Sequence, residues 1–425
     1  MQLDPRHFAR AVTELGERRA VVASTAIYNT QGLKVLDKGV AIDARLFDRL
    51  SQHQLRVPLA ECVDSAPGVS GLVLREAALV LARTEPAFDA MLGDARSRDI
   101  LLTEIGLIPL PRAIAFQLTL MRESHPNLWA HSLRAMLVAG SLGLRRGAPR
   151  HDVRLLAAAG LLHDLGMLHI DPVLLRPEIE LTREQRRQLY THPLVVRMLL
   201  ERHHEYTPEL MRAALEHHEA LDGSGYPRAL EGDAISPWGQ ILAVAEVVSA
   251  ILLPDRPLPG VRLSLVLRMN RHRFDPELVG EVLRRLPAEA PSGTPAAVGV
   301  SLQLLRQVDR LLRSLAAARP ATEPLPPQRA DGFEHALDAC VLALRTLARA
   351  GVTEEQLATL DEAATDPQQA SELALLAHEA AWQLRSVTRQ ARRRWRLEHE
   401  ETFPGWLQQW LDEADRLVAG PLGPS

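Results

Sequence analysis

The chain has 425 residues, 46% hydrophobic and 24% charged, which is enough apolar material for two or three domains and unlike a disordered or fibrous chain. Its 49 basic and 53 acidic residues leave a formal charge of −4, so no net positive field draws it to nucleic acid or an anionic membrane. Two distant cysteines, Cys62 and Cys340, exclude a disulfide framework or a cysteine-ligated zinc; no apolar signal segment follows Met1, and the longest near-apolar run, Ile241 to Leu253, is broken by Glu246 and too short for a bilayer, so a cytoplasmic protein is expected.

In chain order, Val21-Val22-Ala23, Ala26-Ile27-Tyr28 and Leu33-Lys34-Val35-Leu36 read as short strands around the Asn29-Thr30-Gln31-Gly32 turn. A helix over 44–54 follows, with Leu46, Phe47 and Leu50 on one face, and residues 56–59 read as a returning strand. Residues 1–65 are thus expected to form a small α+β module, and 66–104 a helical connector. From 105 to 288 the periodicity is helical almost throughout. Thr182-Arg183-Glu184-Gln185 is a capping box, and Thr207-Pro208 is an N-cap with an N1 proline. Asp222 to Pro227 holds two glycines and a proline in six residues and reads as a loop. Residues 289–332 read as a Pro/Ala/Gly-rich linker with one helix near 300–317, and 333–425 as a helical region with segments over 333–350, 354–360, 368–399 and 406–418. The expected fold class is mainly α: a helical bundle preceded by a small α+β module and followed by C-terminal helices. Arg392, Arg393, Arg394 and Arg396 around Trp395 read as a solvated helix face, because the whole chain is acidic.

Ten of the 16 histidines lie between His125 and His218. His131, His163-Asp164, His192, His217-His218 and Glu246 are residue types that ligate hard or borderline divalent metals, and they fall on separate predicted helices. A bundle can point such residues at a common centre. Neighbours on a helix diverge by about 100°, so each adjacent pair can serve two metals, or one metal from two sides. His151, His169, His203 and His204 are read as hydrogen-bonded core histidines.

His163-Asp164-Leu165-Gly166 is followed, 54 residues after His163, by His217-His218-Glu219-Ala220-Leu221-Asp222-Gly223-Ser224-Gly225-Tyr226-Pro227. That string fits the pattern HHExxDGxGYP at all eight fixed positions. The chain here resembles the HD-GYP family, a branch of the HD metal-dependent phosphohydrolases. His131-Ser132-Leu133-Arg134, His192-Pro193 and Phe274-Asp275-Pro276 extend the resemblance, which covers 105–288. The N-terminal module also looks like the small domain that precedes some members.

The resemblance implies an HD-type helical domain with two divalent metal ions, iron or manganese. It implies hydrolysis of the bacterial second messenger cyclic di-GMP to linear pGpG or GMP through a metal-activated water. By position, His131, His163, Asp164, His192, His217 and His218 match metal ligands, with His163 and Asp164 the catalytic pair and Asp164 the bridging carboxylate. Asn127 stands where some members carry a third-metal carboxylate. The loop with Asp222, Gly223, Gly225, Tyr226 and Pro227 is expected to line the substrate cleft or to meet a partner; the family implies docking to GGDEF-type synthases. Arg134 is a candidate either for orienting a phosphate or for a salt bridge inside the bundle.

The chain departs from the family pattern at several positions. Met167 replaces the lysine of HDxGK, removing a cation, and Glu246 replaces the aspartate of the next motif. Glu246 either ligates a shifted metal or swings away. Val248 and Ser249 stand where an aromatic and an aspartate are frequent, and Asp255-Arg256-Pro257 is followed by Leu258-Pro259 rather than Tyr-Arg. Arg256 remains a candidate phosphate contact. Three readings follow: a cyclic di-GMP phosphodiesterase weakened at Met167 and Glu246, a regulatory module that binds metal, nucleotide or a partner without turnover, and a phosphodiesterase for another phosphorylated substrate. The N-terminal module is expected to sense, dimerise or cap. The amphipathic C-terminal helices pack within the chain, against a partner, or in a homodimer.

Overall fold

The computed structural model describes residues 5–176, 181–253, 258–286, 298–318, 327–359, 367–394 and 405–418. Contacts divide the chain into two units. One comprises Met1–Pro254 with His272–Pro287; the other comprises Asp255–Arg271 with Ala288–Ser425. Both are mainly helical. Among the described residues, no helix is long and apolar enough to cross a membrane. Arg256, Trp395 and Arg396 lie outside the described residues.

The first unit opens with a helix, Pro5–Gly16, that buries Phe8, Val12 and Leu15. Two antiparallel strand pairs follow, Val22–Ala23 with Val63–Asp64 and Ile27–Tyr28 with Lys34–Leu36. The helix expected over 44–54 is a 3₁₀ turn, Ala44–Leu46, capped by Asp43, that continues as Phe47–Ser51. Residues 56–59 do not form the expected strand: a one-turn helix, Leu59–Cys62, follows Pro58, and the returning strand is Val63–Asp64. Proline lacks the N–H a ladder needs but suits a helix start, which accounts for the shift.

The connector is three helices, Gly71–Thr84, Pro86–Leu92 and Ala95–Gly106. Pro86 interrupts the first pair, Gly93 turns at a φ of 79°, and the Asp94 carboxylate accepts the Ser97 N–H to start the third. Beyond it, Arg112–Ser124, Pro126–Arg145, Arg150–Leu162, His192–Leu200, Pro208–Glu216, Pro237–Ile251 and Pro276–Leu283 form the bundle. Pro126–Arg145 and Arg150–Leu162 approach closely because Gly160 has no side chain. A Cβ there would lie 2.5 Å from the Ala135 carbonyl oxygen.

The second unit contains Pro259–Met269, Val298–Ala317, Pro327–Arg349, Glu354–Ala358, Pro367–Arg394 and Gly405–Val418. Leu305, Val308, Leu312, Leu337, Leu384 and Leu411 are among its core residues. The Val298–Ala317 helix, which the sequence places inside a linker, supplies Leu305, Val308 and Leu312 and belongs to this core. Buried polar groups here are paired. Cys340 Sγ donates to the Leu312 carbonyl, Trp410 Nε1 donates to the Leu311 carbonyl, and Asn270 joins Glu379 and Gln383 in a buried hydrogen-bonded triad.

Candidate metal centre

His131 lies within Pro126–Arg145, and His163 caps the C-terminus of Arg150–Leu162, with Asp164 next in the chain. His192 opens His192–Leu200, which has proline at its second position. His217 caps Pro208–Glu216 and is followed by His218, and Glu246 projects from Pro237–Ile251. These elements bring all seven predicted ligands into one cluster. Gly166 permits part of this approach: a Cβ there would sit 2.4 Å from the His192 carbonyl oxygen.

The ring tautomers follow from the backbone. His163 Nδ1 lies 2.8 Å from the Gly160 carbonyl oxygen, His192 Nδ1 2.9 Å from that of Leu189, and His217 Nδ1 2.7 Å from that of Ala214. A carbonyl brings no proton, so each Nδ1 must donate. In a neutral ring Nε2 then carries a lone pair, and these lone pairs converge. His192 Nε2 is 3.1 Å from His217 Nε2, and His131 Nε2 is 3.2 Å from His163 Nε2. The facing lone pairs of neutral His192 and His217 repel unless a cation stands between or beside them.

Asp164 divides the cluster. Its Oδ1 lies 3.2 Å from His192 Nε2 and 3.8 Å from His217 Nε2; its Oδ2 lies 3.3 Å from His163 Nε2 and 3.6 Å from His131 Nε2. Two compact donor sets share this one carboxylate: Asp164 with His192, His217 and His218, and Asp164 with His131 and His163. Asp164 Oδ1 is buried and has no hydrogen bond of acceptable geometry. A buried carboxylate oxygen left in that state is costly, and coordination would satisfy it. The donor chemistry, imidazole with carboxylate and no thiolate, fits two borderline divalent cations.

Glu246 points inward. Its Oε2 is 2.8 Å from His131 Nε2 and 3.2 Å from His163 Nε2, so it joins the His131–His163 side. The longer glutamate therefore reaches the cluster rather than swinging away.

The electrostatics differ between the two sides. Burial disfavours the His163 cation, but the Asp164 and Glu246 carboxylates outweigh it and hold the ring well above its usual pKa. Burial also opposes charge on His131, and Glu246 again raises it. On the other side, burial and the neighbouring imidazoles push His217 well down, and burial pushes His218 to about 3. Both rings stay neutral, the form a cation needs. Despite their burial, Asp164 and Glu246 are held well below the carboxylate range by the adjacent imidazoles.

The glycine-rich loop is built from its own polar residues. Glu219, 2% exposed, accepts the backbone N–H of Arg228 at 2.7 Å and of Leu230 at 2.9 Å. Asp222 Oδ1 accepts both the N–H and the hydroxyl of Ser224. Gly223 adopts a φ of 72°, and a Cβ on Gly225 would lie 2.4 Å from Glu219 Cα. Tyr226 donates its N–H to the His218 carbonyl and stacks on the His218 ring at 4.5 Å and on Tyr190 at 4.1 Å. Pro227 follows it.

Of the two readings of Arg134, the structure shows the salt bridge inside the bundle: its guanidinium makes two hydrogen bonds to Glu85, at 2.9 and 2.8 Å, with both side chains largely buried. The break at Glu85-Pro86 places that carboxylate against the His131 helix. The core reading of His151 and His204 needs correction, because both are exposed. His203 and His169 are both half-buried; His203 meets the Tyr206 ring edge-on, whereas His169 fits the hydrogen-bonded core reading, stacking on Phe8 at 4.5 Å with Nε2 2.9 Å from Gln117 Oε1. Met167 is half-buried in the Leu165–His169 turn and brings no charge.

Sequence reasoning missed Glu216. It is fully buried beside His217 and carries four hydrogen bonds. No spacing rule singles out a carboxylate whose partners lie up to twenty residues away.

Residues 116–278, which contain every one of these ligands, match the HD domain family. The chain is 36% identical over 154 residues to the cyclic di-GMP phosphodiesterase response regulator RpfG of Xanthomonas campestris, covering 35% of this chain and 40% of that protein. It is 32% identical over 222 residues to a cyclic di-GMP phosphodiesterase of Pseudomonas aeruginosa, covering 48% and 52%. Residues 116–278 are thus similar to HD domains, and they carry the HHExxDGxGYP string. A third relative, 29% identical over 166 residues, is the 3'3'-cGAMP-specific phosphodiesterase 3 of Vibrio cholerae, covering 38% of this chain and 36% of that one. This chain spans about half or less of the length of these relatives.

Proposed function

We propose that the HD-GYP domain is a metal-dependent phosphodiesterase that hydrolyses cyclic di-GMP to linear pGpG and GMP. The observation that carries this reading is Asp164, whose two oxygens face separate imidazole sets and whose Oδ1 has no hydrogen bond. The names of the relatives support the substrate class, a cyclic dinucleotide.

His131, His163, Asp164, His192, His217, His218 and Glu246 would hold two divalent cations, iron or manganese. Such a pair would lower the pKa of a water and polarise a phosphodiester together. The chain's own part is placement and charge. The Nδ1 bonds of His163, His192 and His217 fix the ring orientations. Asp164 supplies negative charge between the two imidazole sets and Glu246 on the His131–His163 side, and Tyr226 stacks on the His218 ring.

Met167 favours a second reading, in which the domain binds metal and nucleotide without turnover. The pairing of Arg134 with Glu85 points the same way, because it removes another cation from phosphate recognition. Docking of a GGDEF-type synthase at the Gly223–Pro227 loop and homodimer formation complete the proposal; sedimentation with and without a synthase tests both.

The deciding assay incubates the protein, loaded with manganese or ferrous iron, with cyclic di-GMP and with 3'3'-cGAMP. Linear product that disappears in Asp164→Ala supports the phosphodiesterase. Bound metal and nucleotide without product selects the second reading, and a Met167→Lys variant that then gains turnover identifies the missing cation as the cause. Loss of a charged hydrogen bond to phosphate is worth about 2 kcal/mol, roughly thirtyfold in rate.

A further inference from the structure

We infer that Glu216 is a positioning residue for the metal centre, a buried carboxylate that ties together the segments delivering His217-His218, Tyr226 and Glu246. The inference rests on the metal-centre reading above. Glu216 ends the helix that His217 caps. Its Oε1 accepts from Arg212 Nε at 2.8 Å and from Arg228 at 2.6 Å, and Arg228 directly follows the Tyr226-Pro227 end of the loop. Its Oε2 accepts from the Ser236 N–H at 2.8 Å and the Ser236 hydroxyl at 2.6 Å.

Ser236 is the N-cap of Pro237–Ile251, the helix that carries Glu246, and its hydroxyl oxygen also accepts the Gly239 N–H. A Cβ on Gly239 would lie 2.6 Å from Glu216 Oε2, so that glycine makes room for the carboxylate. A negative charge at a helix N-terminus is favourable, and both guanidiniums reach in from a half-exposed surface to offset its burial. Every hydrogen-bonding neighbour of the carboxylate is a donor. Glutamine at this position would set an NH₂ group against either Ser236 or the arginines, leaving buried donors facing one another. The two sides of the cluster, one holding His217-His218 and the other Glu246, would then lose their common anchor.

The test is calorimetric titration of manganese into metal-free full-length protein, with thermal unfolding of the same samples. Glu216→Gln is expected to weaken manganese binding about tenfold, the scale of outer-shell lesions. Arg98→Gln, which breaks an exposed ion pair with Asp89 away from these segments, is expected to bind as wild type. A purely packing role would lower the unfolding temperature and leave the affinity of the folded protein unchanged, and that result overturns the inference. Should Glu216→Gln not fold, Ser236→Ala severs one bond to Oε2 and must still weaken manganese binding severalfold; wild-type affinity there also overturns it. Asp164→Asn separates the two claims. If that variant binds manganese as wild type, the metal centre and this inference fall together. If it loses manganese while Glu216→Gln and Ser236→Ala do not, only the inference fails.

Discussion

At the scale of single residues, the same side-chain chemistry has different consequences depending on its neighbours. Arg134 sits three residues after His131, where a phosphate contact is a natural expectation, yet Glu85 claims it. Its side chain is 9% exposed and that of Glu85 12%. Arg134→Ala would strand a buried carboxylate and is expected to cost about 3–5 kcal/mol, read as a lower denaturation midpoint, while the metal content per folded chain stays at the wild-type value. His169 responds to pH instead. Burial pushes its pKa from 6.5 down to about 4, so the unfolded chain takes up a proton that the folded chain refuses between those values. Its contribution is complete above pH 6.5 and is lost as the pH falls towards 4. In metal-free protein, the stability lost between pH 7 and 4.5 should be smaller in His169→Gln by about 2 kcal/mol, measured by urea unfolding.

Among the elements, helix ends do most of the placing. His163, Asp164, His192, His217 and His218 all lie at or beside helix termini, where a ring can donate Nδ1 to a carbonyl of the adjoining turn. The caps that start these helices are legible in the sequence: the Thr182–Gln185 box and the Thr207 N-cap form as expected. The ligand types are equally legible, because imidazole and carboxylate have few other uses at such density. The close approaches are not, because they depend on a glycine in one element meeting a backbone in another. Gly166→Ala drives a methyl group against the His192 carbonyl. We expect it to destabilise the protein by about 1–3 kcal/mol and to release metal from the His192 side, seen by elemental analysis. Gly299→Ala meets nothing within 4 Å, and it should leave metal content unchanged.

For the whole molecule, the division into units does not follow chain order. Asp255–Arg271 leaves the first unit just after the Glu246 helix and is grouped with Ala288–Ser425, and the chain returns at His272. The polar triad Asn270–Glu379–Gln383 is buried in that second unit, and Met269 lies in its core. A chain ended at residue 287 would leave Asn270 without its two partners and Met269 without its core. We expect it to aggregate in size-exclusion chromatography, and to show fast amide exchange over 259–269 where the full chain is protected. Periodicity detects an apolar helix face but not its recipient, which is why residues 105–288 read as continuous in sequence.

The order of residues alone determined that the chain is helical, that it carries an HHExxDGxGYP string, and that seven ligand-type side chains lie within one helical region. These are local properties, set by residue type and spacing. Tertiary structure decided that Asp164 faces two imidazole sets, that Glu246 turns inward, that Arg134 pairs with Glu85, and that Glu216 accepts from Ser236, Arg212 and Arg228. Each of those outcomes depends on groups distant in sequence competing for one buried position, and the winner is set by packing and by the cost of leaving a polar atom unsatisfied.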